Sequence, residues 1–310
     1  MKQAIITVDT EAPTGNYPVE KLIYGRTENG KEYGIRALME MFEKHGYTGL
    51  FFVDIAEAWD NGEKEIAGVI DCIKSRGHDV GVHIHPDHIS DPNRRFLWEY
   101  TFNEQYEIIH KCTELYMKIV GEMPKSFRAG RYGADKNTLS IISELGYKYD
   151  FSEFPHNRRC RLPFNGIYNR TKRIENIIEV PVTVFRSFSS PIYGRLDKID
   201  VTQTVEEYKK VIEQFKDGQT LVFFAHSFSL LNWRKNPDNP IFIPGFRKKI
   251  DVMLSLLKDN DFNVVSENNI DFNYKQDEDG LISTAYGISQ YYYFLKRGIT
   301  TISDRIVRNV

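Results

Sequence analysis

The sequence predicts an α/β fold, a distorted (β/α) barrel of about seven parallel strands followed by a C-terminal helical extension. Two observations support this prediction. Short apolar runs alternate with segments of helical spacing from residue 4 to residue 265. Charged and histidine residues also recur where the apolar runs end, as at the active-site face of a parallel barrel. We expect residues 1–275 to form the barrel and residues 276–310 to form a helical tail packed on it.

The predicted strands are short runs rich in apolar and β-branched residues, as expected of strands buried on both faces. They are Ala4–Val8, Thr48–Asp54, Val80–Val82, Lys125–Gly130, Tyr147–Asp150, Ile177–Thr183, Thr220–Ala225 and Phe262–Val265.

The predicted helices have apolar residues three and four positions apart, and several end at a glycine. They are Ile35–His45, Glu63–Arg76, Glu99–Val120, Asp135–Leu145, Val205–Phe215 and Phe246–Leu257. Strands and helices in this alternation predict a parallel sheet with right-handed crossovers.

The tail has a different composition. Gln276–Gly280 is polar and turn-like, and Tyr286–Val310 has the pattern of a helix that begins with the aromatic stretch Tyr291–Leu295. We expect this helix to pack on the outside of the barrel. A subunit contact in a homo-oligomer and a lid over the substrate are the alternatives.

Composition excludes several functions. The formal net charge of −2 provides no strong field for binding nucleic acid, and no apolar run is long enough to span a membrane. Cys72, Cys112 and Cys160 are too few and too widely spaced for a disulfide framework, which favours reduced thiols. Met1–Asp9 is too short for a signal peptide, so we expect a cytoplasmic protein.

Four of the eight histidines lie between Gly77 and His88. If this segment is a strand that enters a turn, His83 and His85 project from the same side and His88 follows the turn. Imidazole is the commonest metal ligand, so the stretch indicates a metal site. The alternative is that these histidines are exposed or serve only structural hydrogen bonds.

Other strand ends carry the groups that a mononuclear hydrolytic site needs. Asp9 and Glu11 are two residues apart and can divide the roles of base and ligand. Arg128 can orient the base through a bidentate contact, or it can merely tie two strands together. His226 can protonate a leaving group from the other side, or it can be a buried structural residue.

Five segments occur in an order that resembles the polysaccharide deacetylase superfamily, which includes carbohydrate esterase family four. They are Thr7–Glu11, Gly77–His83, Phe127–Gly133, Gly146–Ser152 and Leu221–Ser227. The resemblance implies a distorted (β/α) barrel with fewer than eight regular strands. It also implies metal-dependent removal of N- or O-acetyl groups from sugars, with Zn²⁺ or another divalent ion such as Co, Ni, Mn or Fe.

Matched by position, the resemblance makes Asp9 the general base, Arg128 the residue that orients it and His226 the general acid. His83 matches the first metal histidine, and Asp150 falls in a supporting position beside the substrate. Two positions depart from the family: Thr10 replaces a second aspartate, and Asp87 replaces the second metal histidine. We therefore predict Glu11, His83 and His85 as the metal ligands, with His88 as a substitute. The residues that we predict to bind the substrate are Tyr132, Asp150 and Phe228.

The function expected from these residues is that of a cytoplasmic, metal-dependent sugar deacetylase. Its substrate would be a nucleotide-linked or lipid-linked precursor of surface polysaccharide. A related alternative is hydrolysis of a non-sugar C–N bond. A different alternative is a degenerate barrel that binds carbohydrate without turning it over, because the motifs are altered.

Overall fold

A large parallel sheet forms the centre of the computed structural model, which describes residues 1–12, 17–190, 192–234, 236–270, 272 and 281–306. The strands are β1 Gln3–Thr10, β2 Gly49–Asp54, β3 Asp79–Ile84, β4 Ser126–Ala129, β5 Tyr149–Asp150, β6 Lys172–Ile174, β7 Ile177–Glu179, β8 Val184–Ser189, β9 Gly194–Lys198, β10 Thr220–His226, β11 Leu231–Asn232, β12 Ile241–Phe242 and β13 Asn263–Val264. Within the described residues the main sheet has nine strands in the order β10-β1-β2-β3-β4-β5-β7-β6, and β13 pairs with the start of β1. Strands β8 with β9 and β11 with β12 form two antiparallel pairs.

Helices connect the strands and cover the outside of the sheet. They are α1 Val19–Leu22, α2 Ile35–Lys44, α3 Ala58–Asn61, α4 Glu63–Lys74, α5 Phe102–Val120, α6 Lys136–Leu145, α7 Val205–Ile212, α8 Pro244–Asp259 and α9 Ser289–Ile306. Among the described residues, no helix combines the length and the apolar composition that a membrane crossing requires.

The sheet is curled strongly enough for distant strands to meet. Arg128 on β4 reaches Asp9 on β1 although β2 and β3 lie between them in the sheet order. The described residues form no strand ladder between the edge strands β6 and β10. Single hydrogen bonds link this side of the sheet instead: Val222 donates its backbone N–H to Thr183 Oγ1, and Thr220 donates its backbone N–H to the carbonyl oxygen of Asn169. The predicted α/β fold with a distorted barrel is therefore confirmed.

The two-residue period of the strands separates two apolar clusters. On β1, Ala4, Ile6 and Val8 join the large cluster beneath the helices, whereas Ile5 joins the cluster inside the curl. The interior cluster also contains Leu50 and Phe52 from β2 and Val222 from β10. The same alternation continues towards the strand ends, where the interior positions carry polar side chains. They are Thr7, Asp9, Asp54, His83, Arg128 and His226.

Most predicted elements have their expected positions, and the differences are local. The β8–β9 hairpin was not predicted, because β9 reads Gly-Arg-Leu-Asp-Lys and lacks the apolar pattern of a buried strand. Strand β6 was also missed. The tail helix begins at Ser289, and Phe188 on β8 contacts the rings of Tyr291 and Phe294. The expected domain boundary between residues 275 and 276, the stretch Gln276–Gly280 and the last four residues lie outside the described part of the chain.

Candidate functional site

Asp9 and Arg128 form a buried ion pair at the interior end of β1. Arg128 is fully buried, and its Nη1 donates to Asp9 Oδ1 at 2.5 Å while its Nη2 donates to Thr7 Oγ1 at 3.1 Å. The guanidinium lies 4.3 Å from the centroid of the Phe52 ring. Gly81 makes room for that ring, since a Cβ at Gly81 would lie 2.7 Å from it. The pair leaves Asp9 Oδ2 without a contact to the arginine and so available to accept a proton.

Glu11, His83 and His85 bring three possible metal ligands together. His83 Nε2 lies 3.2 Å from Glu11 Oε2 and 3.1 Å from His85 Nε2, and His85 Nε2 lies 2.5 Å from the same Glu11 oxygen. His83 Nδ1 is 2.8 Å from the carbonyl oxygen of Arg128, which can only accept, so Nδ1 carries the proton. In neutral His83 the lone pair of Nε2 therefore points at a carboxylate oxygen. Such a group of acceptors requires a positive charge between them.

The electrostatics of this group support the same conclusion. Burial alone lowers the pKa of His83, but the charges of Asp9 and Glu11 outweigh it and raise that pKa to about 9. Burial raises the pKa of Glu11, yet the neighbouring His85 and His83 hold it well below its usual value. The carboxylate is thus favoured in its ionised form, and His83 supplies a proton where a metal ion would lie.

The structure brings His85, rather than Asp87 or His88, to His83. His85 fits because position 130 is a glycine: a Cβ there would lie 2.6 Å from the His85 ring. Asp87 instead accepts two hydrogen bonds from the guanidinium of Arg131, at 2.7 and 2.9 Å. His88 lies with Asp54, Glu57 and Asp60, in a second group beside the first.

His226 lies at the end of β10, next to Glu11. Its Nε2 is 3.5 Å from Glu11 Oε1, and its side chain is 32% exposed. Phe224 contacts the imidazole edge-on and Phe228 stacks on it, each with 4.7 Å between ring centroids. Burial lowers the pKa of His226, although the charge of Glu11 opposes this. Trp233 packs against Phe228 and extends a partly exposed aromatic surface next to the imidazole.

The two other predicted substrate-binding residues lie deeper than expected. Tyr132 is 7% exposed, and its ring packs against Phe154 and Phe224. Asp150 is fully buried and accepts a hydrogen bond from Ser152, whose hydroxyl accepts from the backbone N–H of Ala129. Asp150 therefore supports the end of β4 through Ser152 and does not offer its carboxylate to solvent.

Lys198 is a residue of this region that the sequence did not reveal. Its Nζ lies 3.2 Å from the centroid of Phe224, the ring that also contacts His226. Burial lowers the pKa of Lys198 to about 8, although Asp200 and Asp9 oppose the shift. Lys198 ends a mostly polar strand, and such a strand has no periodic signal that could point to it. Asp54 was more accessible to prediction, because it ends the apolar strand β2.

Comparisons with known proteins agree with the motifs. Residues 17–149 match the family model described as polysaccharide deacetylase. A search of curated proteins found no sequence match. Among solved structures, a candidate polysaccharide deacetylase from Mycobacterium smegmatis superposes with a TM-score of 0.54 at 14% identity, covering 96% of this chain and 91% of that chain. A polysaccharide deacetylase from Bacillus cereus gives a TM-score of 0.46 at 15% identity, covering 90% of this chain and 99% of that chain.

The fold resembles that of the mycobacterial structure over most of both chains, and the matched segment contains the histidine stretch and the arginine motif. The sequence match therefore supports the two motifs that lie within residues 17–149, and the structural match supports the fold. The chain is therefore similar to polysaccharide deacetylases in sequence over residues 17–149 and similar to the mycobacterial structure in fold.

Proposed function

We propose that the protein is a metal-dependent hydrolase that removes an acetyl group from an N- or O-acetylated sugar. One observation carries the proposal. The Asp9–Arg128 pair and His226 both lie next to the ligand group formed by Glu11, His83 and His85. A base, a metal site and an acid are the parts that hydrolysis of an acetyl bond requires.

The residues present suit a divalent metal ion. Two imidazole nitrogens and one carboxylate oxygen converge, and the matched family is one of deacetylases. Glu11, His83 and His85 would hold the ion, and Zn²⁺ is the first choice for this donor set. When bound, the ion would polarise the acetyl carbonyl and make a nearby water molecule more acidic.

Asp9 would act as the base. Arg128 occupies Asp9 Oδ1, so Oδ2 is the oxygen that takes a proton from the attacking water. The burial of the arginine and its second contact to Thr7 fix the orientation of the carboxylate. Asp9 therefore needs no rearrangement before proton transfer.

His226 would act as the acid on the leaving group. After water adds to the acetyl carbon, the bond to the sugar nitrogen or oxygen breaks and the proton from His226 goes to that atom, releasing acetate. Phe224 and Phe228 hold the imidazole in place. Phe228 and Trp233 offer apolar faces on which a sugar ring can stack.

A precursor of surface polysaccharide, attached to a nucleotide or lipid carrier, is the substrate that we propose. A cytoplasmic location is part of the same proposal. The three cysteines support this location, because all of them are free, which suits a reducing compartment. Lys198 adds a cationic group beside His226 that would suit an anionic carrier.

Acetate release tests the proposal. The purified chain is incubated with N-acetylglucosamine oligomers and with a nucleotide-linked N-acetylated sugar, before and after removal of metal by a chelator. We expect acetate that disappears with the metal and returns when Zn²⁺ is added. If the protein binds metal and these sugars but releases no acetate, the non-catalytic carbohydrate-binding alternative replaces the enzyme.

A further inference from the structure

A second group of candidate metal ligands lies next to the first and has no role in the proposed reaction. Asp54, Glu57 and His88 each place a ligand atom within 4.8 Å of the others. Asp54 is 1% exposed and Glu57 is fully buried. Burial and the charge of Asp54 raise the pKa of Glu57 well above its usual value, because burying two unpaired carboxylates together is costly, and a bound cation would remove this cost.

The two carboxylate oxygens of Asp54 differ in their hydrogen bonding. Oδ1 accepts from the backbone N–H groups of Ala56 and His85, at 3.1 and 3.2 Å. Oδ2 is buried without a hydrogen-bond partner among the described residues. It faces His88 Nε2 at 3.8 Å, too far for a hydrogen bond but a separation that two ligands of one ion can have. The unpaired oxygen therefore points into the group.

His88 is oriented as a ligand. Its Nδ1 forms a short contact with the carboxylate of Asp60, which acts as acceptor and keeps the proton on Nδ1. In neutral His88, Nε2 then carries the lone pair, and it lies 3.8 Å from Asp54 Oδ2. A histidine held by a carboxylate on one nitrogen and free on the other is the usual arrangement at protein metal sites.

Glu57 completes the group from the first turn after β2. Its Oε1 accepts from the backbone N–H of Ala12 at 2.5 Å, and its Oε2 has only a 3.5 Å contact from Asn61. Within the described part of the chain, no lysine or arginine forms an ion pair with Asp54, Glu57 or Asp60. The negative charge of the group is thus compensated by no protein cation except a protonated His88.

We propose that Asp54, Glu57 and His88 form a second divalent-metal site, with Asp60 positioning His88. Mixed carboxylate and imidazole ligands suit Mn²⁺, Fe²⁺ or Zn²⁺. Hydrogen bonds connect the two sites. Asp54 Oδ1 accepts from the backbone N–H of His85, and Glu57 Oε1 accepts from the backbone N–H of Ala12, the residue after Glu11. Metal binding at this second site does not depend on the proposed hydrolysis of an acetyl bond.

Metal counting on the 310-residue chain tests the second site. The protein is stripped with a chelator, equilibrated with Mn²⁺, separated from free ion and analysed for bound metal by mass spectrometry. We expect two Mn²⁺ per chain in the wild type and one in Glu57→Gln and in His88→Gln. Glu57→Gln keeps an oxygen for Ala12, so the chain should remain folded, which circular dichroism checks.

Two further variants complete the design. His83→Gln removes a ligand of the first site and should also leave one Mn²⁺, whereas His110→Gln, on the exposed side of α5, should leave two. One Mn²⁺ in the wild type that is lost in His83→Gln, or two retained in both Glu57→Gln and His88→Gln, would overturn the second site. A chain that holds two Mn²⁺ but releases no acetate would contradict the proposed function and leave this inference standing.

Discussion

At the scale of single residues, the two oxygens of Asp9 have different surroundings. Oδ1 contacts Arg128, and Oδ2 lies 3.9 Å from His83 Nε2. An asparagine at this position keeps the size and the contact to Arg128 but cannot take a proton. We expect Asp9→Asn to lower kcat by about 10² to 10⁴-fold, the usual contribution of a general base, with metal content unchanged.

The measurement is acetate release together with metal analysis of the same sample. Asp71→Asn, at an exposed position of α4, is the matched control and should retain wild-type activity. Loss of metal in Asp9→Asn would make Asp9 a ligand and would refute its assignment as the base.

We expect Lys198 to make the proposed acetate release decrease at high pH. Its pKa of about 8 means that the charge near His226 is present below pH 8 and lost above it. Since a cation there favours an anionic substrate or a developing negative charge, activity should fall above pH 8. Lys198→Met should lower kcat/KM about tenfold at pH 7, as expected when a contact to a charged group is lost.

The pH profile separates this role from a purely structural one. Lys198→Met should lack the decline above pH 8, whereas Lys198→Arg should move it to higher pH, because arginine stays protonated. Identical profiles for all three proteins would show that the charge of Lys198 does not act on the reaction.

At the scale of elements, the end of the sheet away from the site contains its own buried acid. Glu267 accepts a hydrogen bond from Ser126 on β4 at 2.7 Å, and its backbone N–H donates to Asp79 on β3. Burial raises the pKa of Glu267 from 4.5 to about 7, and Asp79 adds to the shift. The folded chain therefore keeps a proton there that the unfolded chain has already lost.

The raised pKa of Glu267 makes the folded chain less stable at higher pH. Between pH 4.5 and 7 the folded state binds more protons than the unfolded state, so Glu267 makes the free energy of unfolding decrease as pH rises. Glu267→Gln removes this dependence and keeps an acceptor for Ser126. We expect the variant to gain about 3 kcal/mol relative to wild type on going from pH 4.5 to pH 8.

Urea unfolding at several pH values measures this gain. Glu40→Gln, at an exposed position of α2, should follow the wild-type pH dependence. A stability difference between Glu267→Gln and wild type that stays constant from pH 4.5 to pH 8 would contradict the pKa shift.

At the scale of the whole molecule, Arg297 joins the tail to the rest of the chain. It pairs with Asp197 on β9 at 2.5 Å and with the fully buried Glu207 on α7. Removing the guanidinium leaves the Glu207 carboxylate buried without its partner. We expect Arg297→Met to reduce the free energy of unfolding by about 3 kcal/mol.

The neighbouring Lys296 offers a matched control. It pairs with Glu206, whose side chain is half exposed, and exposed pairs contribute little to stability. Lys296→Met should therefore change the free energy of unfolding, measured with urea, by less than about 1 kcal/mol. Equal effects of the two substitutions would mean that burial of Glu207 does not set the strength of the Arg297 contact.

Much of the sheet and part of the site could be predicted from the sequence. Apolar runs located β1, β2, β3 and β10, and a period of two placed Asp9 with Glu11 and His83 with His85. These predictions succeeded because they depend only on local backbone geometry.

The remaining features depend on contacts between distant segments. Spacing could not decide between His85, Asp87 and His88, since the choice depends on Gly130 and on the partner of Asp87. Lys198 was missed because its strand is polar and, among the described strands, pairs only with β8. The assignments of His226, Tyr132 and Phe228 to catalysis and substrate binding remain predictions.

The Asp87–Arg131 pair has a consequence for how such a site can change. Asp87 occupies the position where the resemblance places a metal histidine, and Arg131 holds it with two hydrogen bonds. The side chains of both are only 10% exposed. A histidine introduced at position 87 alone would leave the guanidinium without its carboxylate, next to a bound cation. A change of Asp87 to histidine is therefore coupled to a change of Arg131, and neither is tolerated before the other. A double-mutant cycle at positions 87 and 131 would measure this coupling.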